Sequence, residues 1–316
     1  MAVHAEILEA LAKRDPAAGL ARLADLAPGL PPSTSGLRLM APVLQVAANG
    51  NREAAFALVA KLPEALQRSA IGTILTGWAN ADPVEALKWS VAHGVDPELD
   101  AYGRLDFNGD SVHAAQEMLA VAFQRDFKKT FEWLQAQPPS PERDRWLSGG
   151  VWSGDFAQKL QAFDSLSPEG QLSNVGYLVR SSYNRVGGDT NLVSKVESWV
   201  KALPPGDVRA AAIRDMVDRQ VDQAPERVEG ILNEWPTGPD REAAIGGLVG
   251  CLAWKEPSRA IELARQLADP SVRANAFGQI AYSWSYSDRS AVRRWIADEP
   301  AFSDDQKRTL LLMYGD

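Results

Sequence analysis

The chain has 316 residues, 45% of them hydrophobic, and its 41 acidic against 33 basic residues give a formal net charge of −8. That balance argues against non-specific nucleic-acid binding, which needs many Lys and Arg to neutralise phosphates, and it suits a cationic or neutral partner better. The single cysteine, Cys251, excludes an intramolecular disulfide framework, and no run approaches the roughly 18 consecutive apolar residues of a membrane span.

In chain order, MAVHAEILEALAKRD reads as an amphipathic helix without the basic and apolar segments of a leader. A cytoplasmic location is the expectation, although an exported chain shorn of its leader would look the same. Nine anchors follow: Asp15-Pro16, Glu53, Asp82-Pro83, Asp126, Asp155, Asp189, Ala224-Pro225, Glu256-Pro257 and Asp288, at intervals of 29 to 44 residues. Upstream of an anchor comes an apolar-periodic stretch with an aromatic near its end, as in RSAIGTILTGWA, LSNVGYLVRSSY, REAAIGGLVGCLAW and RANAFGQIAYSW. Downstream comes a shorter amphipathic run such as DPVEALKW, DFKKTFEW, EPSRAIELA or DRSAVRRW.

Asp is a favoured N-cap and Pro is tolerated in a first helical turn, so each anchor predicts the start of a second helix. Trp89, Trp133 and Trp295 lie seven residues past their anchors, two turns on, where they can face the preceding helix, and Trp199 does so less regularly. Pro and Gly clusters such as LAPGLPPSTSG, QPPSPE, LPPGD and WPTGPD separate the units. Gly72, Gly176, Gly246 and Gly278 recur inside upstream helices, which predicts close helix-to-helix approach there. No period-two alternation persists.

These features predict an all-α chain, an α-solenoid of about nine irregular two-helix repeats and roughly nineteen helices, because paired helices bury their apolar faces only by stacking on neighbours. Residues 1–316 read as one helical-repeat domain with an insertion at about 95–110 and a C-terminal capping helix at about 302–314. The pattern resembles tetratricopeptide and HEAT-like helical repeats, through Ala70 to Gly72 and Ala244 to Gly246 and the Pro at unit ends. It looks still more like bacterial repeat proteins with a W-A-x-x-D-P-x-x-A core, matched by Trp78, Ala79, Asp82, Pro83 and Ala86. The resemblance spans the chain and implies a scaffold for peptides or proteins, with no partner named.

Arginine opens several upstream helices, at Arg38, Arg68, Arg145, Arg209, Arg241 and Arg273, the last three spaced 32 apart. Such a row serves either as a structural ladder, each guanidinium pairing with an acid or a helix-end carbonyl, or as a groove for carboxylates; the ladder is favoured. Within residues 95–117, Asp106, Asn108, Asp110 and Glu117 follow the rhythm of a calcium loop, but Ser111 occupies the place where the sharp turn wants Gly, so a polar loop capping the next helix is favoured. Arg68, Arg209, Arg241, Arg273, Tyr102, Arg104, Asp106, Asp110 and Trp235, the last off the aromatic pattern and expected to be partly exposed, are the candidate partner contacts. The other recurrent aromatics read as core.

His4, His93 and His113 stand at no metal spacing, Cys251 has no basic neighbour, and no nucleophile elbow or phosphate loop occurs. No metal or cofactor is expected. The leading expectation is a non-catalytic scaffold binding a peptide or protein on a concave face. Its rivals are a helical-repeat enzyme, glycosylase-like or sugar-processing, with scattered carboxylates and aromatics, and a structural or oligomerisation module.

Overall fold

The computed structural model describes residues 2–95, 114–183, 190–223, 228–235 and 237–314. They form nineteen α-helices and no strand, as the sequence predicts for an all-α chain. The chain divides into two compact units, Met1–Asn174 and Val175–Asp316.

In the first unit longer and shorter helices alternate: α1 (Ala2–Arg14), α2 (Pro16–Leu26), α3 (Thr34–Ala47), α4 (Arg52–Val59), α5 (Glu64–Ala81), α6 (Pro83–Ala92), α7 (Ala114–Arg125), α8 (Phe127–Gln135), α9 (Pro141–Ser153) and α10 (Phe156–Asp164). Helix α11 (Pro168–Tyr183) begins in the first unit and ends in the second. The second continues with α12 (Thr190–Ala202), α13 (Asp207–Gln223), α14 (Val228–Glu234), α15 (Gly238–Lys255), α16 (Pro257–Ala264), α17 (Pro270–Ser285), α18 (Arg289–Asp298) and α19 (Asp304–Tyr314).

The short helices begin where a carboxylate meets an otherwise unbonded backbone N–H, which stabilises a helix start by about 1 kcal/mol. The amides of Ala18, Glu85, Lys129, Gln158 and Ala291 donate to the side chains of Asp15, Asp82, Asp126, Asp155 and Asp288 at 2.8–3.3 Å. At Asp155 the Gln158 side chain returns the bond to the cap residue's own N–H. Glu53 is a correction: it lies inside the first turn of α4, whose cap position belongs to Asn51. Glu256 occupies the cap position of α16 without a side-chain bond, since its longer stem does not fold back. Asp189 and Ala224-Pro225 lie outside the described residues.

Packing runs in series through the long helices. In the first unit α1 meets α3, α3 meets α5, α5 meets α7 and α7 meets α9; in the second α13 meets α15, α15 meets α17 and α17 meets α19. Leu66, Ile74 and Leu75 of α5, Ile213, Met216 and Val217 of α13, Ile245, Leu248, Val249 and Leu252 of α15, and Phe277 and Ile280 of α17 are buried at these contacts. Each contributes roughly 1.5–3 kcal/mol of transfer free energy. Cys251 sits among them, and burial pushes its thiol further above the thiolate range, with Asp218 adding to the effect.

The approaches of one long helix to another's backbone fall at Gly77 and Gly247. A Cβ on Gly77 of α5 would lie 2.6 Å from the backbone oxygen of Gln45 in α3, and one on Gly247 would overlap the backbone oxygen of Arg214. Of the glycines expected, Gly176 does meet a neighbouring helix, since a Cβ there would overlap the Asp215 side chain of α13, whereas Gly246 would meet only the Arg214 side chain at 3.4 Å and Gly278 nothing within 4 Å. One residue along a helix turns the side-chain direction by about 100°, so Gly246 and Gly247 serve different faces.

The aromatic rows need a similar correction. Counted from the caps, Trp78 stands four residues before Asp82 and Trp284 four before Asp288, but Trp254 stands only two before Glu256, where the buried residue four before is Leu252. Two residues rotate a side chain by about 200°. Trp78 is therefore buried, with the Arg52 guanidinium 3.7 Å above its ring, while Trp254 is 58% exposed. Trp295 is half-buried and packs against Phe277 and Trp284 of the preceding helix, donating its indole N–H to the buried carboxylate of Glu299 at 3.0 Å; Trp89 stacks on Phe56 of α4.

Replacing Gly247 by Ala forces α13 and α15 apart and is expected to destabilise the protein by about 1–3 kcal/mol, the usual range for overpacking. Gly246→Ala adds helix propensity without a clash and is expected to stabilise by about 0.5–1 kcal/mol. Urea unfolding followed by circular dichroism checks the opposite signs.

Candidate functional site

The 32-residue spacing noted for Arg209, Arg241 and Arg273 organises the second unit. Arg209 chelates Asp240, its Nε and Nη2 donating at 2.8–3.1 Å, while its Nη1 donates to the carbonyls of Lys201 and Leu203 at 2.7 and 2.6 Å. Arg241 donates to Leu232 O at 3.1 Å, Trp235 O at 3.4 Å and the Gln266 side chain at 3.1 Å, and Arg273 to Leu267 O at 2.5 Å. Arg209 and Arg241 thus bond carbonyls at or just past the end of the preceding helix, where the final four C=O groups lack intrahelical partners, and Arg273 bonds one three residues beyond that helix's end. Arg38 and Arg68 are exposed, and Arg145 lies 3.5 Å from Glu142. Arg209 has its donors committed within the fold, Arg241 bonds through both terminal nitrogens and Arg273 through one.

Trp235 is corrected from partly exposed to buried, at 6%. The Arg209 guanidinium and Lys201 ammonium lie 5.8 and 6.0 Å from its ring centre and cover it. Tyr102, Arg104, Asp106 and Asp110 fall in 96–113, outside the described residues, as does the insertion that carries them.

A different set converges on one face of the three long helices. A cleft of about 380 Å³ is lined by Ala210 and Arg214 of α13, Glu242 and Gly246 of α15, and Asn275 and Gln279 of α17, among others. This is within the range of ligand pockets. Glu242 is committed, accepting the N–H of Ala268 at 3.3 Å. Among the described residues Arg214, Asn275 and Gln279 are exposed and have no hydrogen-bond or ion-pair partner, leaving a guanidinium and two amides to face solvent. Gly246 lines the cleft without a side chain, where a Cβ would meet only Arg214, and at Gly250, one turn on, a Cβ would touch Gln279 at 3.3 Å and Asp218 at 3.7 Å.

One turn further stands Trp254, its ring centre 6.1 Å from that of Tyr286, which is 5.2 Å from Tyr282 and donates its hydroxyl to the Tyr282 hydroxyl at 2.7 Å. The two tyrosines are 53% and 64% exposed. Sequence reasoning had the means to find this face: adding 5, 9 and 13 to the arginine positions gives Arg214, Gly246 and Gly278, then Asp218, Gly250 and Tyr282, then Asp222, Trp254 and Tyr286. The signal was there in the period, hidden because the last row mixes an acid with aromatics.

Beside the cleft, Asp215 pairs with Arg180 at 2.6 Å, Asp222 with Lys255 at 3.0 Å and Asp218 with Arg219 at 3.4 Å. Burial raises the Asp218 carboxyl above its ordinary range, the Arg219 charge opposes this, and Asp215 and Asp222 add to the rise. In the first unit a polar recess of about 190 Å³ is crossed by a hydrogen-bond network. Asp144 accepts the Ser167 N–H at 2.9 Å, and Asn174 bonds Ser148, Gly170 O and the Trp152 indole at 2.9–3.1 Å. That network braces α9 to the start of α11. Among the described residues no three His, Cys, Asp or Glu side chains come together as a metal set.

Arg209→Ala leaves Asp240 and two helix-end carbonyls without their donor and is expected to cost about 2–3 kcal/mol, with Arg209→Lys recovering only part, as unfolding curves will report. Asp218 keeps its proton to higher pH when folded than when unfolded, so its contribution to stability is full below the ordinary Asp value and is lost as pH rises through the raised one. Asp218→Asn is therefore expected to melt above the wild type at pH 7, with the gap closing toward pH 4. No protein-family model matches the chain, and no curated protein and no solved structure matches it either.

Proposed function

We propose that the protein is a non-catalytic helical-repeat scaffold, an α-solenoid of two-helix units, that holds an extended polypeptide in the cleft formed by α13, α15 and α17. On this reading the long helices form the concave wall of a single 1–316 array related to the tetratricopeptide and HEAT-like repeats. The observation that carries the proposal is a cleft of about 380 Å³ whose Arg214, Asn275 and Gln279 side chains lack partners among the described residues.

An extended strand presents alternating N–H and C=O groups, and an amide side chain supplies both complements, a donor and an acceptor, at one position. Glycine at 246 and 250 lets a main chain approach the helix more closely than any side chain would allow. The exposed aromatic trio gives large, stiff contact area, the kind that dominates recognition energetics. A trough of mixed polar and apolar lining, with exposed rings further along the same helices, fits a polypeptide. No helix among the described residues is long and apolar enough to cross a membrane.

The test fills the trough without touching the core. Random dodecapeptides are selected on the wild-type protein by display, and their affinities for wild type and Gly246→Leu are compared by fluorescence anisotropy. The proposal predicts binders weakened at least tenfold by the substitution at a melting temperature no lower than that of the wild type. Failure to enrich any peptide, or binders indifferent to Gly246→Leu, contradicts it.

A further inference from the structure

We infer that the cleft recognises a polypeptide carrying an acidic side chain and a bulky apolar side chain four residues apart; this rests on the peptide-binding reading above and specifies its ligand. The acid is called for by charge. Arg214 has no ion pair or hydrogen bond among the described residues; Glu242, which shares the cleft, has one oxygen held by the N–H of Ala268, while Asp215 pairs with Arg180 and Asp218 with Arg219. A ligand carboxylate therefore pairs with Arg214 without displacing an existing partner. The net charge of −8 does not oppose this, because at physiological salt charges more than about 8 Å away are largely screened and the local guanidinium decides.

The apolar side chain is called for by Trp254, Tyr282 and Tyr286, which are exposed yet cluster ring against ring at 5.2 and 6.1 Å. Clustered rings left open to water gain free energy by covering one another's remaining faces with an apolar group. The spacing follows from helix geometry. Arg214 lies over Gly246, and Trp254 is eight residues further along the same helix, about 12 Å at 1.5 Å per residue. An extended chain advances about 3.3 Å per residue, so 12 Å spans about four residues, and side chains at i and i+4 fall on the same side of it.

The experiment uses fluorescein-labelled heptapeptides in a glycine-serine background: glutamate in second place with phenylalanine in sixth, the same pair reversed, lysine in place of the glutamate, and glutamate next to phenylalanine. Anisotropy titrations with the full chain are expected to give at least tenfold tighter binding for one polarity of the four-residue spacing than for the lysine or adjacent-pair peptides. Arg214→Ala is expected to abolish the preference for glutamate over lysine, and Trp254→Ala the contribution of phenylalanine; both positions are exposed, so thermal melts should match wild type. If display yields peptides that Gly246→Leu weakens but the heptapeptides show no preference for charge or spacing, this inference is overturned and the groove reading stands. If no peptide binding responds to Gly246→Leu, both are overturned.

Discussion

The structure depends on backbone-to-backbone approach between successive long helices. A two-helix piece has apolar residues on more than one face and cannot bury them alone. Gly77 against Gln45, and Gly247 against Arg214, bring neighbouring long helices near enough for Ile213, Met216 and Val217 to interleave with Ile245, Leu248 and Val249. Interiors packed at this density tolerate few alternatives, so the contact also fixes the register of one helix on the next. Residues 32 apart then line up across α13, α15 and α17, and whatever chemistry those rows carry becomes a surface.

Two rows carry opposite assignments. The row of Arg209, Arg241 and Arg273 ties each long helix to backbone carbonyls at or just past the helix before it. The row of Arg214, Gly246 and Gly278 begins five residues later, more than a full turn along, and consists of an unpaired cation and two bare positions. The same period thus builds both a brace and an opening. The proposed polypeptide site is the opening, with Asn275 and Gln279 as its wall and the three rings at its end.

Much of the fold was legible because its signals are local. Asp15, Asp82, Asp126, Asp155 and Asp288 each bond an amide three residues on, and that geometry needs nothing beyond one turn of chain. The α-helical class and the helix count follow from such punctuation. What failed was rotation about the helix axis. Gly246 reads like Gly247, and Trp254 like Trp78, yet 100° or 200° of turn separates a tight contact from open solvent. Glu53 failed for a related reason, being one or two positions off the cap. Trp235 was misjudged because its cover, Arg209 and Lys201, comes from residues 26 and 34 positions away in the chain. The open cleft was missed because it depends on side chains having no partner, a property that only the packed structure displays.

The most direct measurement is an amide and indole NMR map of the isotope-labelled full chain, titrated with the tightest peptide recovered from display. The account predicts shift changes gathered at Gly246, Gly250, Asn275 and Gln279 and at the Trp254 indole. Changes confined to α14, α16 and α18, or none that saturate with peptide, would contradict it.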